Sequence, residues 1–419
     1  MLTARGAAAR WAAAVAACAV AVLPALAATP AGADVVRDQE LWVLDMVHAP
    51  QAWNLTRGQG VTVAVIDSGV FPSVSDLAGS VIGGPDLSGV RTPMINPAWG
   101  VHGTWMASLI AGHGHAGGSS GIIGVAPAAK VLSIRVVTDR GDPHFRAYQH
   151  ESNADVQQAL ATAITDATAR GAQVISMSLG YGAASRQVRL ALQDALDHRV
   201  IVVASSGNSG ASPAARRVGQ APYSFPADYP GVLGVGAVGP GGRAASFSSD
   251  NLSVEVAAPG VKVPAQGRDG QYWLVSGTSP ACAIVSGVAA LVRARYPHLP
   301  PALVDQAITG TAQHAPPGGY DDRVGFGTVD AAAALSKAGR LAGDRPAVTS
   351  IKAAARYHGA LAAEPVAPRG SSRLILFMLL GLTSLVLIAA AVTRLAALRR
   401  SPGRSPGPSP GRSPGQVNW

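Results

Sequence analysis

The chain has 419 residues, of which 48% are hydrophobic and only 14% are charged, so it can bury a full core and still have residues left for appendages. Its net charge of +9 comes entirely from nine arginines in segments 1–33 and 369–419, which contain no Asp or Glu. The body between these segments has no net charge, so a nucleic-acid-binding surface is not supported.

The N-terminal segment, residues 1–33, has the pattern of a secretory signal peptide. Arg5 and Arg10 precede an apolar run, and small residues suitable for cleavage follow it. Lipoprotein processing at Cys18 is the alternative, but the apolar run continues well past this residue, which favours ordinary cleavage. Loss of Cys18 leaves Cys282 as the single thiol, so we expect no intrachain disulfide.

The body, residues 34–340, alternates short β-branched apolar runs with longer helical patterns. This alternation predicts an α/β fold, a parallel sheet flanked by helices on both faces. The predicted strands are residues 61–66, 131–136, 174–177, 200–204 and 232–238. The predicted helices are residues 103–111, 154–169, 187–197, 280–296 and 301–309.

The C-terminal part is predicted to contain a juxtamembrane linker (341–373), a transmembrane helix (374–393) and a disordered basic tail (394–419). Residues 374–392 are apolar and uncharged, which is just long enough to cross a hydrocarbon core of about 30 Å. More arginines follow this segment than precede it, so the tail is predicted to be cytoplasmic and the body extracytoplasmic. The tail repeats a Ser-Pro-Gly unit and has nothing to bury.

Four polar residues of the body stand where predicted strands end or predicted helices begin. Asp67 ends the first strand, His102 precedes a helix, Asn208 follows the fourth strand and Ser279 opens the helix predicted at 280–296. Taken alone, Ser279 is an ordinary N-cap, with Pro280 at the first helical position. Because loops at the carboxyl edge of a parallel sheet lie close together, the four residues together predict one site.

These residue types suit acyl transfer. A serine hydroxyl needs a base within hydrogen-bond reach, which His102 can supply, and Asp67 can hold the imidazole in the productive tautomer. The oxyanion needs donors, and the backbone N–H of Ser279 and the side-chain amide of Asn208 can provide two.

The order and context of the four residues resemble the subtilisin-like serine proteases, or subtilases. Their motifs read VAVIDSGV, HGTWMASLIAG, SSGN and SGTSPACAIVSG. The resemblance covers roughly residues 41–337 and implies a serine endopeptidase that acts on polypeptides without a cofactor. It also implies that the substrate backbone binds along six residues: Ser178, Leu179, Gly180, Ser205, Ser206 and Gly207.

Two positions depart from the subtilase pattern, because Pro280 and Ala283 stand where that family has an apolar residue and a proline. Pro280 removes a side chain from the pocket, and its fixed φ can tilt the Ser279 hydroxyl. Cys282 is predicted to be a small buried residue, with a second nucleophile as the alternative.

No metal site is predicted. No carboxylate or cysteine partner is spaced to complete a metal site with His113 and His115, so the glycine-rich stretch that contains them is predicted to be a loop after the helix of His102. Asp321 and Asp322 do not form a calcium loop and are predicted to lie in a solvated turn. Residues 138–152 are predicted to form a surface insertion near the substrate cleft.

The whole arrangement is similar to the mycosins, the membrane-anchored subtilases of type VII secretion systems. Fewer than about ten residues separate the predicted signal peptide from the protease domain, too few for a folded propeptide. The similarity implies a membrane-anchored extracytoplasmic endopeptidase that processes secreted substrates and associates with the secretion complex. The alternative is a mainly structural subunit of that complex with weak or no proteolysis.

Overall fold

The computed structural model describes residues 33–115, 120–343 and 372–399. The predicted signal peptide up to residue 32, the linker from residue 344 to residue 371 and the tail from residue 400 lie outside these ranges. The predicted boundaries of these segments therefore stay predictions.

The strands of the described residues are, in chain order, β1 (Thr62–Asp67), β2 (Val81–Asp86), β3 (His113–His115), β4 (Ser120–Ile123), β5 (Lys130–Arg135), β6 (Val174–Met177), β7 (Ile201–Ser205), β8 (Val232–Val238), β9 (Val256–Pro259), β10 (Val263–Gln266) and β11 (Tyr272–Val275). Seven of them form one parallel sheet in the order β2-β5-β1-β6-β7-β8-β9. The pairs β3-β4 and β10-β11 form separate antiparallel ribbons.

The helices of the described residues are α1 (Ala33–Met46), α2 (Ala49–Ala52), α3 (Val101–Ala111), α4 (Phe145–Gln149), α5 (Asn153–Ala169), α6 (Arg186–Asp197), α7 (Pro213–Val218), α8 (Thr278–Arg295), α9 (Pro301–Thr309), α10 (Ala331–Gly343) and α11 (Ser372–Arg399). A short 3₁₀ helix spans Ser75–Leu77. All five predicted helices are confirmed to within two residues at each end, and all five predicted strands to within one.

The sheet buries both of its faces, which confirms the predicted α/β architecture. In β1, Val63 and Val65 belong to the core on the side of α3 and α8, whereas Ala64 and Ile66 belong to the core on the side of α5 and α6. Successive side chains of a strand point to opposite faces, so a strand that is covered on both faces must be apolar throughout. The apolar runs in the sequence therefore mark the strands.

Helix α8 passes through the interior of the larger core. Every residue from Pro280 to Arg293 is buried, and the helix packs against α3 and against β6, β7 and β8. A helix that is apolar around most of its circumference is typically buried in this way. The first residues of both helices lie at the same edge of the sheet, because His102 contacts Asp67 at the end of β1 and Ser279 contacts Ser178 just after the parallel strand β6.

Helix α11 contains the segment that the sequence predicts to cross a membrane. Within the described parts of the chain, no helix meets the length and hydropathy required of a membrane span. The predicted anchor and its orientation therefore rest on the sequence.

Helix α1 was not predicted, and it carries a buried acid. Glu40 is only 2% exposed, and both of its carboxylate oxygens accept from the backbone N–H of Ile123 at 3.1 Å. Arg37, one turn earlier, approaches the same carboxylate at 3.7 Å. Burial outweighs these favourable contacts and raises the pKa of Glu40 to about 8.

We expect the free energy of unfolding to fall as the pH rises from about 5 to about 8. In this range folded Glu40 keeps a proton that the unfolded chain has lost, so a higher pH favours unfolding. Glu40→Gln keeps the shape and removes the charge, so its stability should depend less on pH. Urea titrations across this range test this, with the exposed Asp38→Asn on the same helix as control. Equal pH slopes for Glu40→Gln and wild type would contradict the account.

Candidate active site

Asp67 is the last residue of β1 and is only 1% exposed. Its carboxylate accepts from the backbone N–H of Ser68 at 2.7 Å. It also lies 2.8 Å and 3.0 Å from Nδ1 of His102. Because a carboxylate only accepts, Nδ1 carries the proton and Nε2 is left as the basic nitrogen of the ring.

His102 is the second residue of α3, and its side chain is about one-third exposed. Burial of the ring disfavours its protonated form, but the nearby carboxylates of Asp67 and Asp139 favour it more strongly. The balance raises the pKa of His102 above its ordinary value. The Asp67 carboxylate thus fixes the tautomer of the neutral imidazole, and the raised pKa makes that neutral ring a stronger base.

The residues after His102 allow α3 to approach the end of β1. A Cβ atom at Gly103 would lie 2.2 Å from the carbonyl oxygen of Gly69, so only glycine fits there. The Gly103 N–H donates to the hydroxyl of Ser68 at 3.1 Å, and the Thr104 hydroxyl accepts from the N–H of Phe71 at 2.9 Å. His102, Gly103 and Thr104 therefore hold the start of α3 against the residues that follow β1.

Ser279 is not the N-cap of its helix, which corrects the expectation from the sequence. The cap is Gly277, whose φ of 153° is one that L side chains rarely adopt, and α8 begins at Thr278. Ser279 is thus the second helical residue, and Pro280 is the third rather than the first. The first four N–H groups of a helix lack intrahelical partners, so the Ser279 N–H is available as a donor and Pro280 costs no helical bond.

The Ser279 hydroxyl donates to the carbonyl oxygen of Ser178 at 3.4 Å. In return, the Ser178 hydroxyl donates to the Ser279 carbonyl oxygen at 3.1 Å. This pair ties the start of α8 to the segment that follows β6. The hydroxyl has a single hydrogen, so donating it to His102 requires that it leave the carbonyl oxygen of Ser178.

Asn208 is exposed, and its amide is oriented by Thr278. The Thr278 N–H and hydroxyl both donate to Oδ1 of Asn208, at 2.9 Å and 3.1 Å. Two donors on one oxygen identify it as the carbonyl, so the NH₂ group lies on the other side of the amide. That group is 3.5 Å from the position of a Cβ atom on Gly277, an ordinary contact distance, so it is the backbone conformation of Gly277 that disfavours a side chain there.

The six residues predicted to bind substrate follow two neighbouring strands. Ser178, Leu179 and Gly180 come directly after β6, while Ser205 ends β7 and continues into Ser206 and Gly207. Strands β6 and β7 are paired, so the two segments leave the sheet side by side. The structure thus brings both segments to the edge where Asn208 and Ser279 lie.

Cys282 is confirmed as a buried residue. It lies one turn below Ser279, and its thiol contacts the hydroxyl of Ser176 at 3.9 Å and the carbonyl of Met177 at 3.7 Å. Burial raises the pKa of this thiol to about 11, which disfavours the reactive thiolate. Ala283 is completely buried as well.

His115 has a carboxylate partner that is distant in the sequence. His115 lies 2.7 Å from the buried carboxylate of Asp76, and His113 is in strand β3 rather than in an irregular loop. Within the described ranges, no cluster of three or more His, Cys, Asp or Glu could hold a metal ion. Asp321 lies in a turn that closes on Gly325, as expected.

Residues 138–152 were predicted to be a surface insertion, but part of this segment is buried. Asp142 is 4% exposed, and it pairs with Arg135 at 2.9 Å. Asp139 accepts from the backbone N–H groups of Val101 and His102 at 2.8 Å and 3.1 Å. No signal in the sequence marks this contact, because a single Asp in a polar stretch is common.

Comparison with known proteins agrees with this geometry. The sequence model of the subtilase family matches residues 58–327. Subtilisin DY of Bacillus licheniformis is 34% identical over 256 residues, 61% of this chain and 85% of that protein. Mycosin-1 of Mycobacterium tuberculosis is 34% identical over 333 residues, 70% of this chain and 73% of that protein.

Two solved structures are also similar. MycP1 from Mycobacterium smegmatis has a TM-score of 0.57 at 31% identity and covers 70% of this chain and 84% of its own. The MycP3 protease from the type VII (ESX-3) secretion system has a TM-score of 0.57 at 32% identity, covering 70% and 87%.

We expect Gly103→Ala to lower activity about 100-fold or more. The added Cβ collides with the carbonyl of Gly69, so α3 must move away from the end of β1, and a displacement of about 1 Å in a site of this kind costs about 10² in rate. Peptide hydrolysis and thermal melting measure the effect. Gly182→Ala is the control, because its Cβ meets open space. Wild-type activity in Gly103→Ala would show that the close approach is unnecessary.

Proposed function

We propose a mechanism from the premise that this chain belongs to the subtilase family and is a subtilisin-like serine endopeptidase related to the mycosins. Asp67, His102 and Ser279 are its catalytic residues. The observation that carries the assignment is the hydrogen bond from Nδ1 of His102 to the buried Asp67 carboxylate, at the sheet edge where α8 begins.

In the first step, the Ser279 oxygen attacks the carbonyl carbon of the scissile peptide bond. His102 Nε2 takes the hydroxyl proton, and Asp67 stabilises the resulting imidazolium. His102 then returns the proton to the leaving amine as the C–N bond breaks, which leaves an acyl ester on Ser279. A water molecule, activated by the same histidine, hydrolyses the ester and restores the serine.

The tetrahedral intermediate carries a negative oxygen, which the Ser279 N–H and the NH₂ group of Asn208 stabilise. Both donors are fixed before substrate binds: the first belongs to a helix N-terminus, and the second is oriented by the two bonds from Thr278. Donors that need no reorganisation during the reaction are the most effective.

Substrate binding also prepares the nucleophile. The segments at 178–180 and 205–207 bind the extended peptide, and the carbonyl of Ser178 accepts a substrate N–H. The Ser279 hydroxyl, which now donates to that carbonyl, is displaced and turns towards His102. Catalytic hydrogen bonds that form only with substrate are common in such sites.

The cellular role follows from the relatives. The similar structures include a protease of a type VII secretion system, so we assign this chain to processing of secreted polypeptides in such a system. The uncharged run at 374–392 and the arginines beyond it support a single membrane anchor, with the protease outside and the tail in the cytoplasm. The secretion membrane complex is its proposed partner.

We expect Ser279→Ala to abolish peptide hydrolysis without changing the thermal unfolding midpoint. The substitution removes the nucleophile and leaves the backbone of α8 intact. The assay compares hydrolysis of an unstructured polypeptide by wild type, Ser279→Ala and Ser276→Ala, which removes a neighbouring hydroxyl outside the proposed machinery.

Retained hydrolysis in Ser279→Ala would contradict the mechanism.

A secretion assay with the same variant decides between this role and the structural alternative. If the chain is a purely structural subunit, wild type and Ser279→Ala should support secretion equally well. If it is a processing enzyme, Ser279→Ala should not support secretion.

We expect Asn208→Leu to lower kcat about 10²- to 10³-fold with little change in KM, a loss of the size measured for an oxyanion donor of a subtilisin. The amide acts on the intermediate rather than on the bound substrate, so kcat should carry the effect. Steady-state kinetics test this, with the exposed Asn54→Leu as control. An equal rise in KM with unchanged kcat would assign Asn208 to substrate binding instead.

A further inference from the structure

Helix α3 begins at a residue that cannot cap it. Its N-cap is Gly100, which has no side chain and makes no capping bond. Helix N-termini leave backbone N–H groups unpaired, and a nearby carboxylate stabilises them. Here the carboxylate comes from Asp139, 37 residues beyond His102. One of its oxygens accepts from the N–H of Val101 and the other from the N–H of His102.

The position of Asp139 is itself fixed by buried contacts. Asp142, three residues later, donates its backbone N–H to the carbonyl of Asp139 at 2.9 Å. The Asp142 carboxylate accepts from Arg135 at 2.9 Å and from the hydroxyl of Thr92 at 2.7 Å. Arg135 is the last residue of β5 and is only 2% exposed. A series of hydrogen bonds thus connects the end of β5 to the start of α3 through Asp142 and Asp139.

We propose that Asp139 is a positioning residue for the reaction: it holds the backbone of His102 in place and sets a second negative charge beside that of Asp67. This inference rests on the proposed function, in which His102 is the general base. Asp139 touches neither substrate nor the reacting atoms, and it acts through His102.

The charged surroundings of His102 make this role testable. The carboxylates that face the ring are Asp67 at the end of β1 and Asp139 after β5, and both raise its pKa. From its own helix the ring meets Trp105, edge to face at 6.3 Å, which carries no charge. Tyr181 lies near Asp67, and burial raises the pKa of its phenol, so it stays neutral.

Burial raises the pKa of Asp139 as well, whereas the charge of His102 and the donors from Ser68 and the His102 backbone lower it. The Asp139 carboxylate and the imidazolium therefore stabilise each other. A residue that only capped the helix would affect stability and leave the titration of His102 unchanged.

The test uses the full chain with ¹⁵N-labelled histidine in the Ser279→Ala background, where NMR follows the titration of the His102 ring. Asp139→Asn keeps the shape and removes the charge, so it should lower the pKa of His102 by about one unit. Asp155→Asn removes one exposed charge elsewhere and should leave that pKa unchanged. Asp139→Ser repeats the test if the asparagine variant does not fold.

With Ser279 present, Asp139→Asn should lower kcat about tenfold, and the acidic limb of kcat/KM should move to lower pH. An unchanged His102 pKa in folded Asp139→Asn or Asp139→Ser would overturn the proposal. The NMR titration needs no turnover, so it still decides the role of Asp139 if the chain proves to hydrolyse nothing.

Discussion

The hydrogen bond between the buried Asp67 carboxylate and the His102 imidazole is the interaction on which the site depends. A buried carboxylate is unfavourable unless its oxygens are occupied, and here the Ser68 N–H and the imidazole occupy them. The bond requires α3 to approach the end of β1 closely, which the absence of a side chain at Gly103 permits. This one hydrogen bond therefore requires glycine at position 103, the close approach of α3 to β1 and the tautomer of His102 with the proton on Nδ1.

The parallel sheet supplies the rest of the site by placing the ends of distant segments together. Asp67 ends β1, and Asn208 follows β7 by a few residues. Ser279 enters from α8, which is packed against the same sheet. Because α8 is buried along nearly its whole length, the Ser279 N–H has a fixed direction, and Asn208 is fixed to the same helix through Thr278. The proposed oxyanion donors and the proposed nucleophile are therefore connected through the start of α8.

The sequence predicted the parts of this molecule that leave a local signature. The buried strands are continuous apolar runs, and Asp67, His102, Asn208 and Ser279 each lie within a recognisable motif. Strand β2 was missed because its sequence, VIGGPD, is poor in strand-forming residues. This sequence is tolerated at the edge of the sheet, because Pro85 lacks an N–H and the outer side of an edge strand has no neighbouring strand to bond.

Long-range contacts could not be predicted. Nothing near Asp139 in the sequence shows that it caps the helix of His102, and nothing near His115 identifies Asp76 as its partner. The position of Ser279 within α8 was predicted wrongly because Ser followed by Pro is a common helix start. Here Gly277, in a backbone conformation that other residues rarely adopt, is the N-cap, two residues before Ser279.

The most direct test of the account is covalent labelling of the full chain with a fluorophosphonate probe, followed by mass spectrometry to locate the adduct. If His102 and Asp67 activate Ser279, wild type is labelled at Ser279, and His102→Ala and Ser279→Ala are not labelled although both remain folded. No adduct on folded wild type, or an adduct on Ser279 that is equally strong in His102→Ala, would contradict the proposed mechanism.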